Sequence, residues 1–390
     1  MTVIDIRNIF SDRNIELVAI DPAYIYYAEE KNEEGRRDLY LLEYNRRTKK
    51  ERLVMNYTFD DPSFAAHIYS FDKTIVLVVE NGSNSLWLIE LEKKTGGELN
   101  RRKIVCTGRF KECLALDADH ILIYMSPDEE NAEIFKKYKE VTDCDCLCYL
   151  YNIRTNRKYF VNAPIMARLG CEGTELFTMG DQRYMILMEP FADEDTKEHY
   201  YREQRWVNAD IRDNIWLAKI EDVENDIESG SDTITKKCIA SADIKALVRY
   251  MGNDGVRIYF RAKEFRTNIE KLCSYDIETE TLSVETTMQP PKNGYFLIEE
   301  NPFRFFSVKP IKGHICIRGL INSIADCAYD ENLGSFVTCI DNRYCVTKKT
   351  AVDEESGNVH TYFVIYDTVL GNQESYECGC RLMGDNLVLY

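Results

Sequence analysis

The chain has 390 residues and 45% of them are hydrophobic, enough for a sizeable core and too many for a disordered chain. Its formal charge of −17 argues against nucleic acid and against anionic membrane surfaces as partners, because both call for clustered Lys and Arg. No run reaches the ~18 apolar residues of a spanning helix, so no membrane partner is expected.

The chain opens with Met1-Thr2-Val3-Ile4-Asp5-Ile6-Arg7, which has no positive segment followed by an apolar one and does not read as a signal peptide. The expectation is a cytoplasmic protein whose 14 cysteines are reduced thiols. Val3–Ile9 reads as an orphan strand. After it, pairs of apolar runs recur around short Asp/Gly/Asn turns: Ile15–Ile20 with Tyr24–Tyr27, Ile68–Phe71 with Ile75–Val79, Leu114–Leu116 with Ile121–Tyr124, and Leu176–Met179 with Tyr184–Met188. The series continues through Leu247–Met251 with Val256–Phe260, Tyr295–Ile298 with Phe303–Val308, and Phe336–Ile340 with Tyr344–Thr347, and ends on Arg381–Met383 with Leu387–Tyr390.

A second motif interleaves with these pairs. Tyr44-Asn45-Arg46-Arg47-Thr48, Tyr151-Asn152-Ile153-Arg154-Thr155 and Tyr275-Asp276-Ile277-Glu278-Thr279 each end an apolar run, and Leu91-Glu92-Lys93-Lys94-Thr95 is a looser copy. Asn or Asp at the second position supplies local hydrogen bonds, so each tag reads as a hairpin turn into another strand. Every unit is then strand A, tight turn, strand B, variable loop, strand C, tagged turn, strand D. Four antiparallel strands repeated in this way predict an all-β chain folded as a β-propeller. Eight A–B pairs are present. The two between about 295 and 347 are the least regular, and if they share one blade the count is seven; seven is the expectation and eight the alternative. Residues 1–390 are expected to form a single propeller domain, closed by pairing of the N- and C-terminal strands, which removes exposed sheet edges.

The B–C loops carry the insertions. Ser126–Asp143, within about 126–145, holds the helix-like run Glu129–Lys139, and Pro190–Asp213 holds another, Glu194–Trp206. Lys348–Val359 reads as a polar loop. These excursions are expected on one face, where long loops tend to carry function. The aromatic-rich segment with His199, Tyr200, Tyr201, Arg205 and Trp206 is the leading binding candidate, because Tyr, Trp and Arg dominate interface hot spots; Tyr138 in the earlier insertion could complete the same patch.

Signals for chemistry are weak. Cys144, Cys146 and Cys148 at strand spacing would share one face, but zinc-type CxxC pairs are missing and no metal or cofactor is expected. Cys378-Gly379-Cys380 reads the same way. Among five histidines, His67 and His120 fit satisfied structural roles. No nucleophile elbow, phosphate loop or HExxH motif occurs, and recurrent turn aspartates such as Asp21, Asp72 and Asp181 fit turn formation rather than catalysis.

The stretches Asp38–Thr48 and Lys271–Thr279 resemble strand C and its turn in TolB-like bacterial β-propellers. That resemblance implies the repeat fold and carries no functional residue with it. The function expected is a non-catalytic scaffold that recruits a protein or peptide on the face of the long B–C loops. The alternative is a hydrolase or lyase acting on a carbohydrate or small molecule at the central channel, since 66 Asp and Glu leave paired acids open.

Overall fold

The structure is a computed structural model. It describes residues 2–389 except 8–14, 34, 83, 143, 165, 167–173, 192–211, 242–245, 265–266, 268, 290–291, 301–302, 323–325, 341–342, 353–358 and 384–385.

Strands form because β-branched and aromatic residues alternate or cluster in short runs between Asx- and Gly-bearing turns. Four consecutive strands, hydrogen-bonded in chain order, build each of seven sheets among the described residues. The sheets span 15–58, 66–105, 109–160, 174–241, 246–287, 295–330 and 335–377. They are called the first to seventh sheets below, with strands A to D in chain order. An eighth sheet has three strands, Cys380–Met383, Asn386–Leu389 and Thr2–Asp5. Its last two strands run parallel, Thr2 opposite Asn386 through Asp5 opposite Leu389, so the two ends of the chain do pair. This is the blade repeat of a β-propeller. The segments 295–330 and 335–377 form separate sheets rather than one distorted blade, so all eight A–B pairs lie in sheets of their own.

Apolar side chains fill the spaces between several pairs of consecutive sheets. Tyr26, Leu41 and Val54 of the first sheet pack with Ile75, Leu77 and Ile89 of the second. Val76 and Leu88 of the second meet Ile121, Ile123 and Leu150 of the third in a cluster that reaches Met185 and Leu187 of the fourth. Tyr259 of the fifth stacks on Phe303 of the sixth with ring centroids 4.1 Å apart. Phe306 of the sixth meets Phe336 of the seventh, and Ile340 and Val346 of the seventh meet Leu387 and Leu389. The A strands of the first and second sheets are in contact, as are those of the fifth and sixth.

The structure divides into two compact units. One comprises Met1–Asp12, Pro190–Ile215 and Ile239–Tyr390, the other Arg13–Glu189 and Trp216–Cys238.

The tags are the C–D turns they were expected to be. Asn45 Oδ1 accepts the Arg47 and Thr48 amides at 3.0 and 2.9 Å, Asn152 Oδ1 accepts the Thr155 amide at 2.9 Å, and Asp276 Oδ1 accepts the Thr279 amide at 2.8 Å. The residue after the Thr takes a positive φ each time: Lys49 at 58°, Gly96 at 73°, Asn156 at 58°, Glu280 at 55°. That residue's amide closes back on the Asx or Glu carbonyl, as from Lys49 to Asn45 at 2.9 Å and from Gly96 to Glu92 at 2.8 Å.

Among the described residues, two α-helices of more than two turns depart from the bare repeat. α1, Ala132–Thr142, lies in the B–C connection of the third sheet, where an insertion was expected. α2, Ile220–Glu228, lies in the C–D connection of the fourth sheet, at the opposite strand end from the B–C loops. Its Ile220, Val223 and Ile227, at helical spacing, join the core of the third sheet.

Candidate functional site

Of the expected binding residues, His199, Tyr200, Tyr201, Arg205 and Trp206 lie outside the described residues. Tyr138 is described and is no part of an open patch. Phe135, Tyr138 and Thr142 form the inward stripe of α1, and Tyr138 is only 8% exposed. Its hydroxyl donates to Val161 O at 2.5 Å and accepts the Cys148 amide at 3.4 Å, so burying it satisfies its polar tip. The cysteine run is also corrected. The strand begins at Leu147, so only Cys148 stands on it, buried, while Cys144 and Cys146 precede it and are half-buried.

The segment read as a polar loop over 348–359 is a ribbon at both of its described ends, while 353–358 lie outside the described residues. Strand B of the seventh sheet continues to Val352 and strand C begins at Val359, with Thr350 opposite Thr361, Ala351 opposite His360 and Val352 opposite Val359. Thr and Val favour extended backbone, which overrode the polar composition of the segment. Strand A stops pairing at Lys348 and strand D at Tyr362, so the last rungs stand beyond both neighbours. Val352 is 62% exposed and Val359 67%, and Lys348, Lys349 and Thr350 are exposed along the stem.

At the other strand end, a polar cluster joins the third sheet to α2. Asp117 Oδ1 accepts the Asp119 and His120 amides, both at 2.7 Å, which fixes the A–B turn. The same oxygen lies 3.1 Å from His120 Nδ1. Glu224, on the inward face of α2, brings Oε1 to 3.0 Å from that nitrogen. Nδ1 therefore lies between two carboxylates and pairs with both. On the other side of the ring, Glu228 Oε1 is 3.4 Å from Nε2, and the Asn152 amide is 2.9 Å from Nε2 while donating to Glu228 Oε1 at 2.7 Å.

The electrostatics follow from burial and crowding. Burial alone would pull the His120 imidazole down, but Asp117 and Glu224 outweigh it and push the ring up to about 10. Burial raises the Glu224 carboxyl, with Asp117 adding to the rise. The Asp117 carboxyl is held low despite burial, by His120 and the two turn amides. Burial lowers the nearby Arg183 guanidinium against the pull of both acids. Asp117, His120 and Glu224 each place one ligand-type atom within 4.8 Å of the other two. The sequence reading took His120 as a satisfied structural histidine. It missed Glu224 because no local spacing links an A–B turn to a helix in the next sheet; the helical spacing of Ile220, Val223 and Ile227 was the available signal.

No protein-family model matches the chain, and no curated protein matches it. Solved structures similar to it include an uncharacterised protein from Listeria monocytogenes EGD-e, 11% identical, covering 96% of each chain with a TM-score of 0.43. An oligogalacturonate lyase in complex with manganese is 12% identical over 87% of this chain and 85% of its own, with a TM-score of 0.41. The β-propeller domain of the trilobed protease from Pyrococcus furiosus is 10% identical over 93% and 94%, with a TM-score of 0.42. Likeness at this level carries no argument about chemistry.

Proposed function

We propose that the chain is a binding propeller that recruits a protein partner through its B–C connections, taking an extended peptide segment of that partner along the ribbon of the seventh sheet. The observation that carries this reading is the ribbon itself. Among the described residues no strand pairs with the outer edges of its last rungs, and an extended segment laid along either edge would satisfy them. A two-stranded ribbon is marginally stable alone in water. Covering Val352 and Val359 would contribute on the order of 2 kcal/mol. The aromatic segment around Tyr201 and Trp206 belongs to another B–C connection and supplies the hot-spot chemistry for the same role.

Comparative co-purification tests this. Tagged wild type, the double variant Val352→Asp/Val359→Asp and the double variant Tyr201→Ala/Trp206→Ala are expressed in the native host, and recovered partners are quantified. The reading expects specific proteins with wild type that are lost from the ribbon variant, whose melting curve stays unchanged. Equal recovery from all three proteins would sink it.

A further inference from the structure

We infer that Cys327 and Cys345 form a peroxide-sensitive oxidation site where the sixth sheet meets the seventh, with Cys327 as the attacking thiol and Cys345 as the resolving one. Their sulfurs lie 3.1 Å apart although the residues are 18 positions apart in the chain. Cys327 stands on strand D of the sixth sheet, Asp326–Asp330, opposite Ile317. Cys345 stands on strand B of the seventh, Tyr344–Val352, opposite Cys339 on one side and Tyr366 on the other. Phe306, Tyr329 and Phe336 pack the same interface. Two paired strands and the packing between their sheets therefore hold the thiols together, so little backbone movement is needed to join them.

The surroundings assign the roles. Cys345 and Cys339 are buried, whereas Cys327 is only half-buried, so an oxidant from solvent meets Cys327 first. The hydrogen bond with Cys345 also holds the Cys327 thiol below its ordinary value, against burial and the adjacent Asp326. That favours the thiolate, the reactive form, at the accessible position. A small hydroperoxide is the oxidant. The Cys327 sulfur attacks one peroxide oxygen; an S–O bond forms, the O–O bond breaks, and the other oxygen leaves with a proton as water or alcohol. The Cys345 sulfur then attacks the Cys327 sulfur; an S–S bond forms, the S–O bond breaks, and hydroxide leaves with the Cys345 proton as water. The two thiols lose two electrons and the peroxide gains them. A dithiol reductant reverses the change.

The test treats the full chain, reduced and freed of reductant, with hydrogen peroxide in slight molar excess. The site expects a Cys327–Cys345 link in the non-reducing peptide map of wild type, and recovery of both thiols with dithiothreitol. Dimedone, which traps sulfenic acid, is expected to label Cys327 in Cys345→Ser and to leave Cys345 unlabelled in Cys327→Ser. The control Cys238→Ser, which removes a more exposed thiol, keeps the link. A wild-type map without the link, or with Cys345 joined to Cys339 instead, overturns the site. Equal labelling of Cys327 and Cys345 in the two variants overturns the roles. Should Cys345→Ser fail to fold, wild type decides: brief peroxide exposure with dimedone present labels Cys327 ahead of Cys345, and the reverse order overturns the inference.

Discussion

The tag residue does two things at once. Its side chain caps the C–D turn, and in several sheets it also meets a side chain at or just before the start of strand B. Asn152 meets His120 in the third sheet, Asp276 lies 3.5 Å from Arg257 in the fifth, and Asp367 takes Arg343 in the seventh. Asp367 is the tightest case. Arg343 Nε reaches both its oxygens at 3.0 Å and Nη2 reaches Oδ2 at 2.5 Å, while the Val369 and Leu370 amides add 2.9 and 3.1 Å bonds. Arg343 first, and then these amides, hold the Asp367 carboxyl down to about 2 from an ordinary 3.8. A depressed acid contributes stability above its unfolded value and loses it as pH falls through the folded one. Urea midpoints measured from pH 5 to pH 2 are therefore expected to drop less steeply in Asp367→Asn than in wild type; parallel curves would show that the pair adds nothing. The tag was legible in three sheets because Tyr, Asx and Thr recur at fixed offsets, and in a fourth through a looser copy that keeps the Thr. Its seventh-sheet copy, Tyr366-Asp367-Thr368-Val369-Leu370-Gly371, escaped because Leu370 stands where the others have Thr, although Gly371 at φ 71° fills the same left-handed position.

At the scale of elements, close approach between neighbouring sheets sets the constraints. Gly252 sits at a bulge in strand A of the fifth sheet with φ 133°, and a Cβ there would fall inside contact distance of Glu300 O and 2.8 Å from its Cα. Gly252→Ala combines a strained backbone with a clash against main chain, so a loss of about 2 kcal/mol or more in unfolding free energy is expected. A loss of only a few tenths would show that the sheets can part there. Cys327 of the sixth sheet and Cys345 of the seventh bring their sulfurs to 3.1 Å. The hydrogen bond between the two thiols lowers the half-buried Cys327 thiol and raises its buried partner. The two-electron oxidant diamide, which takes one hydrogen from each thiol, is expected to join this pair. A non-reducing peptide map should show Cys327 linked to Cys345 and the link absent from Cys327→Ser; a map with only other pairings contradicts the contact. Strand runs and turns were readable because their signals are local. α2 and the ribbon were not. The first is marked by three apolar residues among acids, and the second by Thr and Val amid lysines, so composition masked the period in both.

Across the whole molecule, the four-strand repeat could be read from sequence because its pattern recurs many times, and the pairing of the chain's ends because one orphan strand and one incomplete last unit complement each other. The sheet count needed coordinates, since the sixth and seventh sheets are irregular in sequence yet separate in structure. The polar cluster was illegible because its members come from two sheets, and only tertiary structure brings Glu224 onto His120. Recruitment through the B–C connections is the central functional claim. Its most direct test is hydrogen exchange at the ribbon of the seventh sheet, with and without the partner recovered by wild type. The account predicts slowed exchange at Thr350, Ala351, Val352 and their opposite residues when the partner is bound. Unchanged exchange there, with protection appearing elsewhere, would contradict it.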